Sequence, residues 1–204
     1  MNTLQLVIEF LGTFAFAISG IRWAAFKQFD WFGGYVVGLA TAIGGGTIRD
    51  VMLGVTPFWM TDSIYMVCTA AALLTAIVFK KAIARFAATW FLFDTLGLAL
   101  FTVAGLQKTL LGGYPFWVAV IMGCITGAAG GVIRDVLINE VPLIFRKEIY
   151  AIACIIGGIA YYACFRLGFG AGIAAAACFV IVVAVRLAAV KFHISLPRLH
   201  GESE

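Results

Sequence analysis

The chain has 204 residues, of which 63% are hydrophobic and 12% charged, and it carries a net charge of +4. A soluble domain carries about 25% charged residues, so this composition excludes a water-covered surface and suits one that faces lipid. All five cysteines (Cys68, Cys124, Cys154, Cys164 and Cys178) lie in apolar stretches without metal-ligand spacing, and both histidines (His193 and His200) fall in the polar tail.

Seven apolar runs of helix length follow one another, at 4–22, 31–53, 62–80, 88–107, 115–138, 147–165 and 170–190. A bilayer core needs about 20 residues of helix, and the alternating segments of an outer-membrane barrel are missing. The fold class is therefore an all-α membrane protein with seven transmembrane helices. The first run reads as a retained span, because no Lys or Arg precedes it and Glu9 lies inside it. Trp23, Trp31, Trp59, Trp90 and Trp117 fall near the predicted ends, as aromatic belts do.

Basic residues give a direction. Arg22, Lys27, Lys80, Lys81, Arg85, Arg146, Lys147, Arg186, Lys191 and Arg198 fall on one side, and only Lys108 and Arg166 on the other. The positive-inside rule then predicts a cytoplasmic C-terminus and an external N-terminus. Arg22 and Arg186, near helix ends, are expected to snorkel. This asymmetry accounts for the net charge and points to no nucleic acid.

The sequence repeats itself at an offset of 85 residues. Gly45-Gly46-Thr47-Ile48-Arg49-Asp50-Val51 falls on Gly130-Gly131-Val132-Ile133-Arg134-Asp135-Val136. The same register pairs Leu11 with Leu96, Gly12 with Gly97, Phe16 with Phe101, Gly20 with Gly105, Gly38 with Gly123 and Thr41 with Thr126. It also pairs Pro57 with Pro142, Ile64 with Ile149, Tyr65 with Tyr150, and Glu9 with Asp94. Residues 1–85 and 86–169 thus form two three-helix units, followed by a seventh helix at 170–191 and a tail at 192–204. Three crossings return the chain on the opposite side, so the second unit is predicted to be inverted, with solute sites at the interface of the units. The seventh helix has no counterpart and is expected to serve packing or assembly.

Gly44-Gly45-Gly46 and Ala129-Gly130-Gly131 lie within apolar runs, where each glycine costs about 1 kcal/mol relative to Ala. A break there frees carbonyl oxygens, tolerable at membrane depth only against water or protein, and such carbonyls replace the hydration shell of a monovalent cation. Close helix packing through small residues is the alternative reading. Arg49-Asp50 and Arg134-Asp135 follow the glycines, and charges in a span usually face the interior and mark ion pathways. Inverted symmetry suggests a cross-pair such as Arg49 with Asp135; the alternative is that both pairs end their helices at the interface. Glu9 and Asp94 are open to three roles: attracting cations, carrying protons, or partnering Arg49 and Arg134. Thr41 and Thr126 offer hydroxyl ligands, or bond back to their own helix. No phosphate loop and no catalytic Ser/His/Asp set occurs, so neither an enzyme nor a cofactor is expected. The reading that results is passive cation conduction.

Two copies of the GG-x-IRD string in a seven-span chain resemble the prokaryotic branch of the trimeric intracellular cation channel (TRIC) family. That resemblance covers the first six spans closely and implies a homotrimer in the bilayer of a prokaryotic inner membrane. Each subunit would hold its own pore for potassium and, less selectively, sodium. It maps the family's kinks onto Gly44, Gly45, Gly46, Gly130 and Gly131, and its motif charges onto Arg49, Asp50, Arg134 and Asp135. The implied cation sites are transient, at backbone carbonyls near Gly44, Gly45 and Gly130, with no dedicated divalent site. Ala129 departs from the glycine pattern, and the Lys-Glu-Val lipid-linked motif of animal members is absent. The same paired domain is associated with transport of small amino acids, glycine in particular, which stands as the alternative function.

Overall fold

The computed structural model describes residues 3–79, 89–145 and 149–195, and among them every regular element is helical. In chain order these are α1 (Thr3–Phe26), α2 (Trp31–Met52), the single turn α3 (Phe58–Thr61), α4 (Ile64–Val78), α5 (Thr89–Leu111), α6 (Phe116–Leu137), a 3₁₀ turn (Leu143–Phe145), α7 (Ala151–Arg166) and α8 (Ala171–Lys191). Five of them, α1, α2, α5, α6 and α8, are long and apolar enough to cross a membrane; α4 and α7 are shorter. The span expected from residue 62 starts later because Pro57 opens a separate turn, α3, ahead of α4. Likewise Pro142 precedes the 3₁₀ turn ahead of α7. α1 and α5 run about a turn beyond their expected ends, since nothing stops them before Lys27-Gln28 and Gly112-Gly113. Gly113 closes α5 at φ 81° with nothing within 4 Å of where a Cβ would stand, the left-handed position at which glycine is strain-free. Lys80, Lys81, Arg85, Arg146, Lys147, Arg198 and His200 lie outside the described residues.

The core forms where α1, α2, α5 and α6 meet, and small residues make that meeting possible. A Cβ on Gly20 would lie 2.9 Å from the Val37 carbonyl of α2, and one on Gly38 would lie 3.1 Å from the Ala17 carbonyl of α1. In the second unit, Gly105 meets the Met122 carbonyl at 2.9 Å and Gly123 the Thr102 carbonyl at 2.8 Å. These are the same contacts displaced by 85 residues. Lipid is as apolar as the helices, so van der Waals contact through small residues, rather than the hydrophobic effect, holds such pairs together.

Between the units the contacts are reciprocal. Gly12 packs on the Phe101 ring and Gly97 on the Phe16 ring. Phe16 and Phe101 meet each other at 5.3 Å between centroids, both buried. Gly45 of α2 lies against the Thr126 carbonyl of α6, and Gly130 of α6 against the Thr41 carbonyl of α2. When i touches j and the copy of j touches the copy of i, the surfaces match as they do in an isologous pair.

An exposed ion pair also ties the units together: Lys27, in the α1–α2 turn, donates to Glu140 after α6 at 2.8 Å. Both side chains are about a third exposed, which keeps the pair weak. A double-mutant cycle of K27A and E140A in detergent melts is expected to give a coupling below about 1 kcal/mol.

Candidate functional site

Two clusters of buried charge lie inside the bundle. The first gathers the end of α2, the start of α1 and the far end of α5. Asp50 accepts from Arg49 Nε at 2.7 Å, from the Phe58 backbone N–H at 2.9 Å and from Lys108 Nζ at 3.0 Å. Beside it Tyr65 donates to Glu9 at 2.6 Å, and the Phe58 ring stands edge-on to Tyr65 and beneath Arg49. The second cluster repeats this plan. Asp135 accepts from Arg134 Nε at 2.9 Å and from the Leu143 backbone N–H at 2.9 Å. Arg134 also donates to Asp94 and, at 2.7 Å, to Ser19, and Tyr150 donates to Asp94 at 3.3 Å.

Asp50 and Asp135 thus do one structural job twice. Each ties an α-helix end to the turn eight residues later, satisfying a backbone donor that lipid would leave bare. Each cluster holds two cations and two carboxylates: Arg49, Lys108, Asp50 and Glu9 in one, Arg134, Arg186, Asp94 and Asp135 in the other. Neutrality of each set limits the large cost of charge in a low-dielectric interior.

Glu9 and Trp23 are 14 residues apart on α1, and Asp94 and Lys108 are 14 apart on α5. At 1.5 Å per residue the clusters stand about 21 Å apart along the helices. Glu9 and Lys108 belong to the first; Trp23, beneath Arg134, and Asp94 belong to the second. The clusters therefore occupy opposite ends of the bundle.

Several expectations are corrected by this geometry. The cross-pair of Arg49 with Asp135 does not form, because the clusters lie too far apart; each arginine folds back onto the aspartate next to it in sequence. Both pairs do sit in the last turn of their helices, yet they are enclosed by protein, with Arg49 2% and Arg134 0% exposed. The break expected at the glycines is absent. α2 and α6 remain α-helical through Gly44, Gly45, Gly46, Ala129, Gly130 and Gly131: Gly45 and Gly130 are packed against the backbone of the facing helix, and Gly44, Gly46 and Gly131 against the side chains of Ile133, Phe58 and Tyr150. Arg186 does not snorkel. It is fully buried, lies 3.8 Å from Asp94, donates to the Ile149 carbonyl at 3.4 Å and stacks over the Phe91 and Tyr150 rings.

Other expectations are refined. Asp94 is a partner of Arg134, whereas Glu9, at the equivalent position, has Tyr65 and no arginine within 4 Å among the described residues. Thr41 and Thr126 bond back to the Val37 and Met122 carbonyls, each at 2.6 Å. Lys108 and Arg186 were not singled out from sequence as members of a site. Arg186 did carry a signal, a cation five residues inside an apolar helix, much as Arg49 stands in α2.

A family model described as "Glycine transporter" matches the chain twice, at residues 6–81 and 91–166, a displacement equal to the repeat register. A UPF0126 membrane protein of Vibrio cholerae is 41% identical across 96% of this chain and 83% of its own length. The UPF0126 inner membrane protein YadS of Escherichia coli is 41% identical across 93% of each chain. Among solved structures, the TRIC trimeric intracellular cation channel orthologue from Rhodobacter sphaeroides superposes with a TM-score of 0.89 at 31% identity, covering 95% of this chain and 100% of that one. A second TRIC cation channel gives a TM-score of 0.85 at 34% identity, over 97% and 98% of the two chains.

Proposed function

The chain belongs to the glycine transporter family of membrane proteins, and from that membership and the TRIC-like fold we propose that it is a passive, potassium-permeable cation channel with one path through each subunit. The observation that carries the reading is the pair of buried, charge-balanced clusters at opposite ends of one bundle. A membrane bundle held together by small-residue packing needs no such charges, whereas an ion path does. Between the clusters, α1 and α5 bury the hydroxyls of Thr13 and Thr102, with those of Ser19 and Thr95 beside the second cluster. Those of Thr13 and Thr95 have no partner among the described residues, and an orphaned hydroxyl in a dry core costs about 1–3 kcal/mol. A hydrated route gives them an acceptor.

In this reading the three-helix halves, 1–85 and 86–169, are inverted in the membrane, and α8 completes seven crossings. The N-terminus faces outward and the C-terminus the cytoplasm, and three subunits assemble. The glycine crossing of α2 and α6 is the closed gate. Its opening would part Gly45 from Thr126 and Gly130 from Thr41, and the bared carbonyls and hydroxyls of Thr41 and Thr126 would meet the passing cation. Gly44, Gly46, Ala129 and Gly131 flank that point, with Ile133, Phe58 and Tyr150 packed on the three glycines.

The family description favours a second reading, carriage of a small zwitterion such as glycine. A carrier needs a cation free to take the carboxylate. Arg49 and Arg134 are both engaged with aspartates, which weighs toward the channel. Purified protein in planar bilayers separates the two: unitary currents in potassium chloride, persisting without any amino acid, are expected. Silent bilayers together with saturable glycine uptake into vesicles would overturn the channel.

A further inference from the structure

We propose that the cleft between the ends of α1, α2 and α4 is a phospholipid site, in which Arg22 takes the phosphodiester and the groove beside it takes an acyl chain. The cleft has a volume of about 470 Å³ and is walled by Ile21, Phe26, Trp31, Leu73, Ala76 and Ile77, with Arg22 among them. Its outer lip is aromatic: Phe26, Phe29 and Trp31 are each more than 40% exposed, and Trp31 is the ring type that membrane interfaces favour.

Among the described residues lining the cleft, Arg22 has a buried donor that the fold leaves unmatched. Its Nε is shut off from solvent and has no hydrogen-bond partner, and no carboxylate lies within ion-pair distance of it among the described residues. Its guanidinium rests over the Phe26 ring, 5.0 Å from the centroid. Asp30, the acid that also lines the cleft, is committed elsewhere: it caps α2 by accepting from the Gly33 N–H at 2.7 Å. A guanidinium with a buried, unmatched donor beside an apolar trough is complementary to a phosphate oxygen carrying a hydrocarbon tail.

The repeat supplies an internal comparison. At the register of 85, Arg22 corresponds to Gln107, Trp31 to Phe116, Ala76 to Tyr161 and Ile77 to Tyr162. In the second unit Tyr161 is buried, and Phe116 packs on Tyr161 and Tyr162 at 6.3 and 4.3 Å between centroids. The second unit thus fills with protein, and without a cation, the position that the first leaves open beside an arginine. Opening of the groove and acquisition of charge go together, as they do in a ligand site. This inference rests on membrane residence alone and is independent of conduction.

Native mass spectrometry of the detergent-purified protein tests it with palmitoyl-oleoyl phosphatidylglycerol and with diacylglycerol of the same chains. The wild type is expected to retain phosphatidylglycerol and not diacylglycerol. Loss of one charge-assisted contact in Arg22→Gln is expected to cut that retention by about tenfold. Ala76→Tyr, which copies the second unit into the groove, is expected to abolish it with Arg22 intact. Equal retention by Arg22→Gln and the wild type would overturn the assignment, as would equal retention of diacylglycerol. Should Arg22→Gln fold poorly, Ala76→Tyr decides alone: undiminished retention in that variant, with an unchanged melting temperature, would also overturn it.

Discussion

Asp94→Asn is expected to destabilise the fold by about 3–5 kcal/mol, the usual cost of removing one member of a buried ion pair, read as a lowered melting temperature in detergent. Asp94 is buried between Arg134 and Arg186, both fully enclosed. Asparagine preserves the shape but leaves two guanidinium groups sharing the single charge of Asp135. Glu9→Gln supplies the comparison. Glu9 sits at the equivalent place in the first unit, yet its hydrogen bond comes from the Tyr65 hydroxyl, which a glutamine oxygen also accepts, without charge assistance. The cation then left in excess, Lys108, has a side chain one third exposed. The loss in Glu9→Gln is expected to stay near about 1 kcal/mol. The double variant Asp94→Asn with Arg186→Met restores neutrality and is expected to recover much of the lost stability, because apolar replacement of buried ion pairs is often neutral. Equal melting temperatures for Asp94→Asn and Glu9→Gln would show that the cluster is wetter and weaker than its geometry.

The second large effect concerns the crossing of α2 with α6. A Cβ added to Gly45 falls on the Thr126 carbonyl, and one added to Gly130 falls on the Thr41 carbonyl; both obstacles are backbone and cannot turn aside. Gly45→Ala and Gly130→Ala are each expected to push the helices apart, at a cost of about 1–3 kcal/mol from overpacking. If the crossing is the gate, they should also hold it open, with potassium current at voltages where the wild type is silent. Gly172→Ala is the control, since nothing lies within 4 Å of that position, and it is expected to change neither property. Wild-type currents in a destabilised Gly45→Ala protein would place the gate elsewhere.

Much of this architecture was legible from residue order. Spans followed from the length of apolar runs, and the 85-residue register emerged from string matches that the paired prolines, tyrosines and glycines reinforced. The fate of the glycines was not legible. Helix propensity prices an isolated helix, and on that scale three adjacent glycines are a weak point. Here Gly45 is filled in by the Thr126 backbone of the other unit, and Gly44 and Gly46 by the Ile133 and Phe58 side chains, and the helix stays whole. Arg186 was misplaced for a related reason. Its distance from the helix end allowed snorkelling, and only the packing of α8 against Asp94 decided otherwise. The arginine–aspartate neighbours point about 100° apart on a helix, which suggested other partners. A long arginine side chain bends back over that angle, and no periodicity records which way it turns.

Phe16 and Phe101 touch across the seam, each being the other's counterpart in the repeat. A contact between a residue and its own repeat counterpart makes the same demand on both positions, and here phenylalanine meets it from each side. Ala76 and Tyr161 stand away from that seam and have no such obligation. The repeats of this chain thus differ at their margins, where one keeps a cleft and the other a tyrosine, and agree along the line where they meet.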